Sequence, residues 1–261
     1  MIEVFKILLM SAVQGITEFL PVSSSGHLVL TKILLELEAP GIDLEVALHA
    51  GTLIAVLLYY RQRIAEMTSG LFQRNPADWR YVAYLLVSAI PAGVAYVLWD
   101  EPLEKLFDKP VYVGFALCIT GITLLMLRLP HLRPASAAIS LPVALIMGLA
   151  QAVALIPGIS RSGSTLVTAR LMGVMPRKAA EFSLLMSFIP IAGATVIKLI
   201  GRFMDASPGE ISGIFLIAGM FASLVVGYAA IIILVRVLEA GRLWWFGPYC
   251  LAAGAIVIVL A

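Results

Sequence analysis

Three side chains able to carry charge or move a proton interrupt the apolar stretches of this chain: Glu18, His27 and Arg161. A fourth, His49, stands near the start of a further apolar run. Gln14 and Glu18 are four residues apart, which puts both on one helix face. That pair can be a carboxylate holding a cation, a proton or an arginine, or simply a hydrogen bond between packed helices. One turn further on come Pro21 and then Ser23, Ser24, Ser25, Gly26 and His27. Successive hydroxyls and backbone N–H groups leading into a helix make an anion cradle, and a bland N-cap would look the same. An imidazole close to three hydroxyls can take a proton from one of them as it attacks phosphorus, or give one to a departing phosphate. These residues alone leave Ser23, Ser24 and Ser25 equally open as the nucleophile, with His27 itself a chemical alternative. The second cluster, Pro157-Gly158-Ile159-Ser160-Arg161-Ser162-Gly163-Ser164-Thr165, centres on an arginine. Its planar fork binds phosphate oxygens two at a time; it can equally pair with Glu18, and the two readings are compatible. His49 is read as structural.

The elements that position these residues must lie in lipid. Of 261 residues, 61% are hydrophobic and 13% charged, and the mean hydropathy is +1.00. Soluble domains run about 45–50% apolar and about 25% charged. A formal net charge of +2 without a basic run excludes nucleic acid as a partner. Cys118 and Cys250 lie within apolar stretches and read as small core residues. The first apolar segment lacks a basic n-region and cleavage site, and reads as retained.

A spanning helix needs roughly 20 apolar residues. Six segments meet that: 44–60, 80–99, 111–128, 179–200, 211–235 and 247–260. Residues 2–19 resuming as 28–37, and 139–155 resuming to 172, read instead as pairs of short helices joined by polar loops. Irregular backbone survives at membrane depth only where protein or a wet cavity satisfies it, so both are expected to be re-entrant hairpins. That layout collects Arg61, Arg63, Arg74, Arg80, Arg170, Arg177, Lys178, Arg236 and Arg242, among others, on one side, the cytoplasmic one. Acids such as Asp43, Glu45, Asp100 and Glu101 fall on the other, with Lys105 and Lys109 as minority basics. Trp244 and Trp245 read as interfacial anchors, and Pro91 and Pro190 as kinks within spans. The hairpins then enter from opposite sides. A constant offset pairs Met10 with Met147, Gln14 with Gln151, Ser23 with Ser160, Ser25 with Ser162 and Gly26 with Gly163. The expected fold is one all-α integral membrane domain over 1–261, with six transmembrane helices and two re-entrant hairpins. Residues 1–128 and 138–261 would be its inverted-topology repeats, with the site near the midplane between them.

The string from Gln14 through Glu18 to His27 resembles the first signature of the bacterial undecaprenyl-diphosphate phosphatases of the bacitracin-resistance type. Pro157 to Thr165 resembles their second, and the resemblance covers essentially the whole chain. It implies hydrolysis of the C55 isoprenoid diphosphate to the monophosphate that carries cell-wall precursors. It further implies a bacterial inner-membrane enzyme whose site opens outward, and a Mg²⁺ or Ca²⁺ cofactor. Carried over by position, Ser24 is the nucleophile, His27 the base or acid, Glu18 a base or the metal-holding residue, and Arg161 the phosphate clamp. Gln14, Ser23, Ser25, Gly26, Ser160, Ser162, Gly163, Ser164 and Thr165 would bind substrate. Gln14 stands where the family has Glu or Gln, leaving one acid where a two-acid metal site would need a second. The expected partners are the polyprenyl diphosphate, the bilayer and a second copy in a homodimer. The competing reading is a transporter or flippase of an anionic lipid, since broken helices and inverted repeats are carrier architecture. A serine beside a histidine, a carboxylate and an arginine favours the enzyme, because a carrier needs no nucleophile. An inactive lipid-binding relative is the third reading, disfavoured by the intact polar set.

Overall fold

The computed structural model describes residues 2–35, 42–107, 109–128, 138–204 and 212–261. Among these residues the chain forms α-helices and no β-strand. In order they are α1 (Ile2–Phe19), α2 (Ser24–Leu35), α3 (Ile42–Tyr59), α4 (Arg61–Phe72), α5 (Pro76–Phe107), α6 (Pro110–Leu125), α7 (Leu141–Val153), α8 (Arg161–Leu171), α9 (Pro176–Met204), α10 (Gly213–Glu239) and α11 (Phe246–Leu260). Residues 36 and 37 of the expected first hairpin, and residue 211 of an expected span, lie outside the described residues.

Among the described residues five helices are long and apolar enough to cross a membrane, over Pro76–Trp99, Pro110–Arg128, Pro176–Ile197, Gly213–Glu239 and Leu243–Leu260. A sixth span results if α3 and α4, bent by 71° at Tyr60, count as one. These coincide with the six expected segments, and their outer faces agree with a lipid solvent. Val97 is 80% exposed and Ile217 62%, whereas the buried core gathers Phe19, Met147, Phe182, Met186 and Leu234. The span ending at 99 stops where α5 breaks its helical backbone at Trp99, and Pro91 and Pro190 lie inside α5 and α9.

Helices in lipid gain little from apolar burial against each other and associate through close approach at small residues. One such crossing joins α6 to α11. A Cβ at Gly114 would stand 2.9 Å from the Gly254 carbonyl oxygen, and one at Gly121 would stand 2.8 Å from that of Gly247. Two further crossings repeat one design. Helix α1 lies on α10 with Gly15 against the Ser223 carbonyl, and α7 lies on α5 with Gly148 against that of Ser88. At one end of the molecule Arg63 of α4 binds Glu181 of α9 at 3.0 Å, and Tyr81 of α5 donates to the same carboxylate. Trp244 and Trp245 receive the guanidinium groups of Arg128 and Arg242 on their faces, as suits side chains at a membrane edge.

The polar stretches depart from the expected layout in one respect. Residues 22–27 and 157–165 read as loops, but Ser24–His27 is the first turn of α2 and Arg161–Thr165 the first turn of α8. The irregular backbone is confined to 20–23 and 154–160. The cause is capping. Ser23 Oγ accepts from Gly26 N at 3.3 Å, and Ser160 Oγ accepts from Gly163 N at 3.1 Å, so each serine satisfies an N–H that would otherwise be orphaned.

Candidate active site

The two breaks are built alike and lock together. In the first, Ser23 Oγ lies 3.1 Å from Ser25 Oγ; in the second, Ser160 Oγ lies 3.3 Å from Ser162 Oγ. Each break then reaches into the other. Ser25 Oγ accepts from Gly158 N at 3.1 Å, and Ser162 Oγ donates to the Leu20 carbonyl at 3.1 Å. Thr120 of α6 braces the second break, accepting from Ser160 N at 2.9 Å and donating to Gly158 O at 3.0 Å. Within the two breaks Gly158, at φ 96°, and Ser23, at φ 69°, hold left-handed backbone. At Gly158 a side chain would collide with the Val113 carbonyl of α6. At Ser23 the conformation carries strain for an L-residue, offset by its bonds to Ser25 and Gly26.

Across this joint the charged groups meet. Glu18 on the last turn of α1 pairs with Arg161 at the start of α8 through its Oε1. Its Oε2 accepts from Ser24 Oγ at 2.8 Å and from Gln14 Nε2 at 3.0 Å. The carboxylate is 7% exposed, and so well buried a charge needs this degree of pairing. Arg161 has five N–H donors, and Glu18 is the acceptor the structure gives it, through Nη2. A serine hydroxyl hydrogen-bonded to a carboxylate, with a guanidinium on the same carboxylate, can release a proton while an anion is held alongside.

A cavity of about 450 Å³ opens onto this cluster. Glu18, Ser23, Ser24, Ser25, Ser160 and Arg161 line it. Apolar residues line it too, among them Ala92 and Val97 of α5 and Pro190, Ile191 and Ile197 of α9. Several expected site residues stand behind that surface. Gln14 is fully buried and buttresses Glu18, while Gly26 packs on Leu117. Ser162 and Gly163 belong to the joint, Thr165 bonds Ser183 of α9 at 2.6 Å, and Ser164 is partly buried with no place in the lining. His27 is turned away from the lining. Its Nδ1 meets Ser23 O at 2.8 Å and its Nε2 meets the Tyr249 hydroxyl of α11 at 2.7 Å.

Three residues to which the sequence assigns no site role line the cavity: His49 and Glu45 of α3, and Gln151 of α7. Helix α3 is one turn of sequence spacing away from neither motif, so nothing short of its packing reveals that it forms a wall. Gln151 was visible as the partner of Gln14. Its amide is buried with neither its oxygen nor its nitrogen hydrogen-bonded. Glu18, which accepts from the Gln14 amide nitrogen, has Leu155 as its counterpart at the same offset, so the Gln151 amide nitrogen lacks that acceptor.

The residues present do not fit a divalent cation held by protein alone. Both Glu18 oxygens are engaged, and no cluster of three His, Cys, Asp or Glu occurs among the described residues.

A family model described as bacitracin resistance protein BacA matches residues 7–256. The chain is 37% identical to undecaprenyl-diphosphatase 1 of Bacillus licheniformis over 265 residues, covering 98% of this chain and 97% of that protein. It is 39% identical to the undecaprenyl-diphosphatase of Salinibacter ruber, with 97% of each chain covered. With that of Halothermothrix orenii the identity is 36%, over 99% of this chain and 98% of the relative.

Proposed function

This chain belongs to the family of the bacitracin resistance protein BacA, and we propose from its cavity that it removes the terminal phosphate of undecaprenyl diphosphate. It is a multi-pass membrane protein and an undecaprenyl-diphosphatase, as its relatives are named. The observation that carries the mechanism is a cavity lined both by the Glu18–Arg161 ion pair with Ser24 and by apolar residues of α5 and α9. A head group with two phosphates suits the first, and a polyprenyl tail suits the second.

In this reading Ser24 Oγ attacks the terminal phosphorus. Glu18 takes the serine proton over their 2.8 Å bond, and the bond from that phosphorus to the bridging oxygen breaks. Undecaprenyl phosphate leaves, and the phosphoryl group stays on Ser24. Arg161 holds the non-bridging oxygens through donors that Glu18 does not occupy. Ser160 adds a hydroxyl at the same end. His27 fixes α2 against α11 through Tyr249 and so sets the position of Ser24. The divalent cation that the resemblance implies would, in this proposal, arrive on the diphosphate as its counter-ion, and no step runs through it.

We further propose that α1–α2 and α7–α8 are re-entrant, within an inverted repeat. The matched caps, the reciprocal Ser25 and Ser162 bonds, and the paired crossings of α1 on α10 and α7 on α5 support this. The basic loops, expected on the cytoplasmic side from their charge, support a site that opens to the outer side of the bacterial inner membrane. A homodimer partner would pack on the same apolar outer surface that lipid covers.

The deciding experiment uses purified protein in detergent with undecaprenyl diphosphate and a C15 diphosphate, reading inorganic phosphate. Release from the C55 substrate is expected. No release, together with movement of labelled lipid across vesicle membranes, would establish a carrier instead.

Gln151 gives a prediction of unusual sign. An unsatisfied buried amide costs about 1–3 kcal/mol, and a phosphate oxygen at the cavity wall would satisfy its N–H. Gln151→Leu should therefore raise Tm while raising KM for the diphosphate roughly tenfold, one lost hydrogen bond being worth about 1.4 kcal/mol. A lowered Tm with unchanged KM would show that the amide serves only the fold.

A further inference from the structure

We propose that His49 is the base that activates the water which releases phosphate from Ser24. This rests on the reading that Ser24 accepts the phosphoryl group. After that transfer Glu18 carries the serine proton, and it must return the proton to Oγ when the Oγ–P bond breaks. A second group has to accept the proton of the incoming water.

The structure narrows the choice. The residues of the cavity lining able to hold or transfer a proton, besides Glu18, are Glu45, His49, Tyr96 and Arg161. Arg161 stays charged, and a tyrosine hydroxyl has no lone proton vacancy at neutral pH. Glu45 is a much weaker base than imidazole, and it already takes part in another interaction, as does Tyr96. His49 Nδ1 lies 2.8 Å from the Glu45 carbonyl oxygen. A carbonyl only accepts, so Nδ1 carries the hydrogen, and the neutral ring keeps its lone pair on Nε2. Nε2 is the ring nitrogen not committed to that carbonyl, and the ring lines the same cavity as Ser24, Glu18 and Arg161. His27 has the opposite arrangement, with both nitrogens engaged and its ring outside the lining.

The step balances. Water oxygen bonds to phosphorus as the Oγ–P bond breaks; the water proton passes to His49 Nε2 and the Glu18 proton to Oγ. Inorganic phosphate leaves, and His49 then sheds its proton to solvent.

The test separates the two half-reactions. Undecaprenyl diphosphate labelled at the terminal phosphorus is mixed with His49→Gln, which keeps a side chain of similar reach but cannot accept a proton. A burst of one equivalent of undecaprenyl phosphate is expected, with label retained on Ser24 after acid quench. Steady-state phosphate release should be about 10²–10⁴-fold slower than wild type. His49→Ala should recover part of that loss when imidazole is added to fill the vacated space. Wild-type turnover by His49→Gln without labelled protein, beside an inactive Ser24→Ala, would overturn the role of His49 alone. Wild-type turnover by Ser24→Ala would instead remove the phosphoserine step beneath it.

Discussion

Arg161→Ala is expected to lower kcat/KM by about 10³-fold or more and to destabilise the protein by about 3–5 kcal/mol, both from one cause. Arg161 is the ion-pair partner of Glu18, whose carboxylate is 7% exposed. Without the guanidinium that charge keeps only Ser24 and Gln14 as donors, and the joint between α1 and α8 loses its ionic contact. The incoming diphosphate meanwhile meets a carboxylate that nothing offsets. Stability and activity can be pulled apart by a second change. Glu18→Gln combined with Arg161→Met removes both charges, and replacing a buried pair with neutral groups is often neutral or stabilising. The double variant should melt near wild type in detergent and still release no phosphate. Arg161→Ala retaining activity within tenfold would mean that the phosphate is held elsewhere.

The legible part of this site was its scaffold. Hydropathy located the six apolar segments because lipid leaves helix as the only open-ended structure whose backbone is satisfied from within. The constant offset located the two breaks. What that offset marks, however, is capping: Ser23 with Gly26, and Ser160 with Gly163, make equivalent bonds. Ser25 and Ser162 cross-link the breaks. The chemistry we propose sits where the two breaks differ. Glu18 stands opposite Leu155, and Ser24 opposite Arg161, so in that proposal the first motif supplies the acid and the hydroxyl while the second supplies the cation. Matched serines build the joint, and these two departures would make it reactive. The direction of His27 was not legible, because sequence proximity to three serines says nothing about which side of α2 the ring occupies. Its actual partner, Tyr249, is 222 residues away. His49 was hidden for the same reason in reverse, being far in sequence from both motifs but brought to the cavity wall by the packing of α3 against α1, α9 and α10.

The three adjacent serines offer the clearest separation of roles. Ser24→Ala should reduce turnover by about 10³-fold or more, as loss of a nucleophile does, with little change in Tm. Its hydroxyl is partly buried and donates to Glu18, which keeps Arg161 and Gln14 as partners. Ser23→Ala and Ser25→Ala should act first on stability. Ser23 caps α2, and a lost serine cap costs about 0.5–2 kcal/mol. Ser25 holds Gly158 N of the second break, so its loss leaves a partly buried N–H without an acceptor and lets the two breaks part. Thermal melts and single-turnover kinetics on the three variants give two orderings. The turnover ordering should place Ser24 alone at the bottom, and the stability ordering should place it at the top. If the serine whose loss abolishes turnover is also the one whose loss unfolds the joint, nucleophile and scaffold cannot be told apart, and the division of labour drawn from these hydrogen bonds fails. Ser23→Gly sharpens the comparison, because glycine relieves the left-handed backbone at φ 69° while deleting the cap hydroxyl. Glycine at an N-cap costs only a few tenths of a kcal/mol relative to serine, so Ser23→Gly should melt above Ser23→Ala.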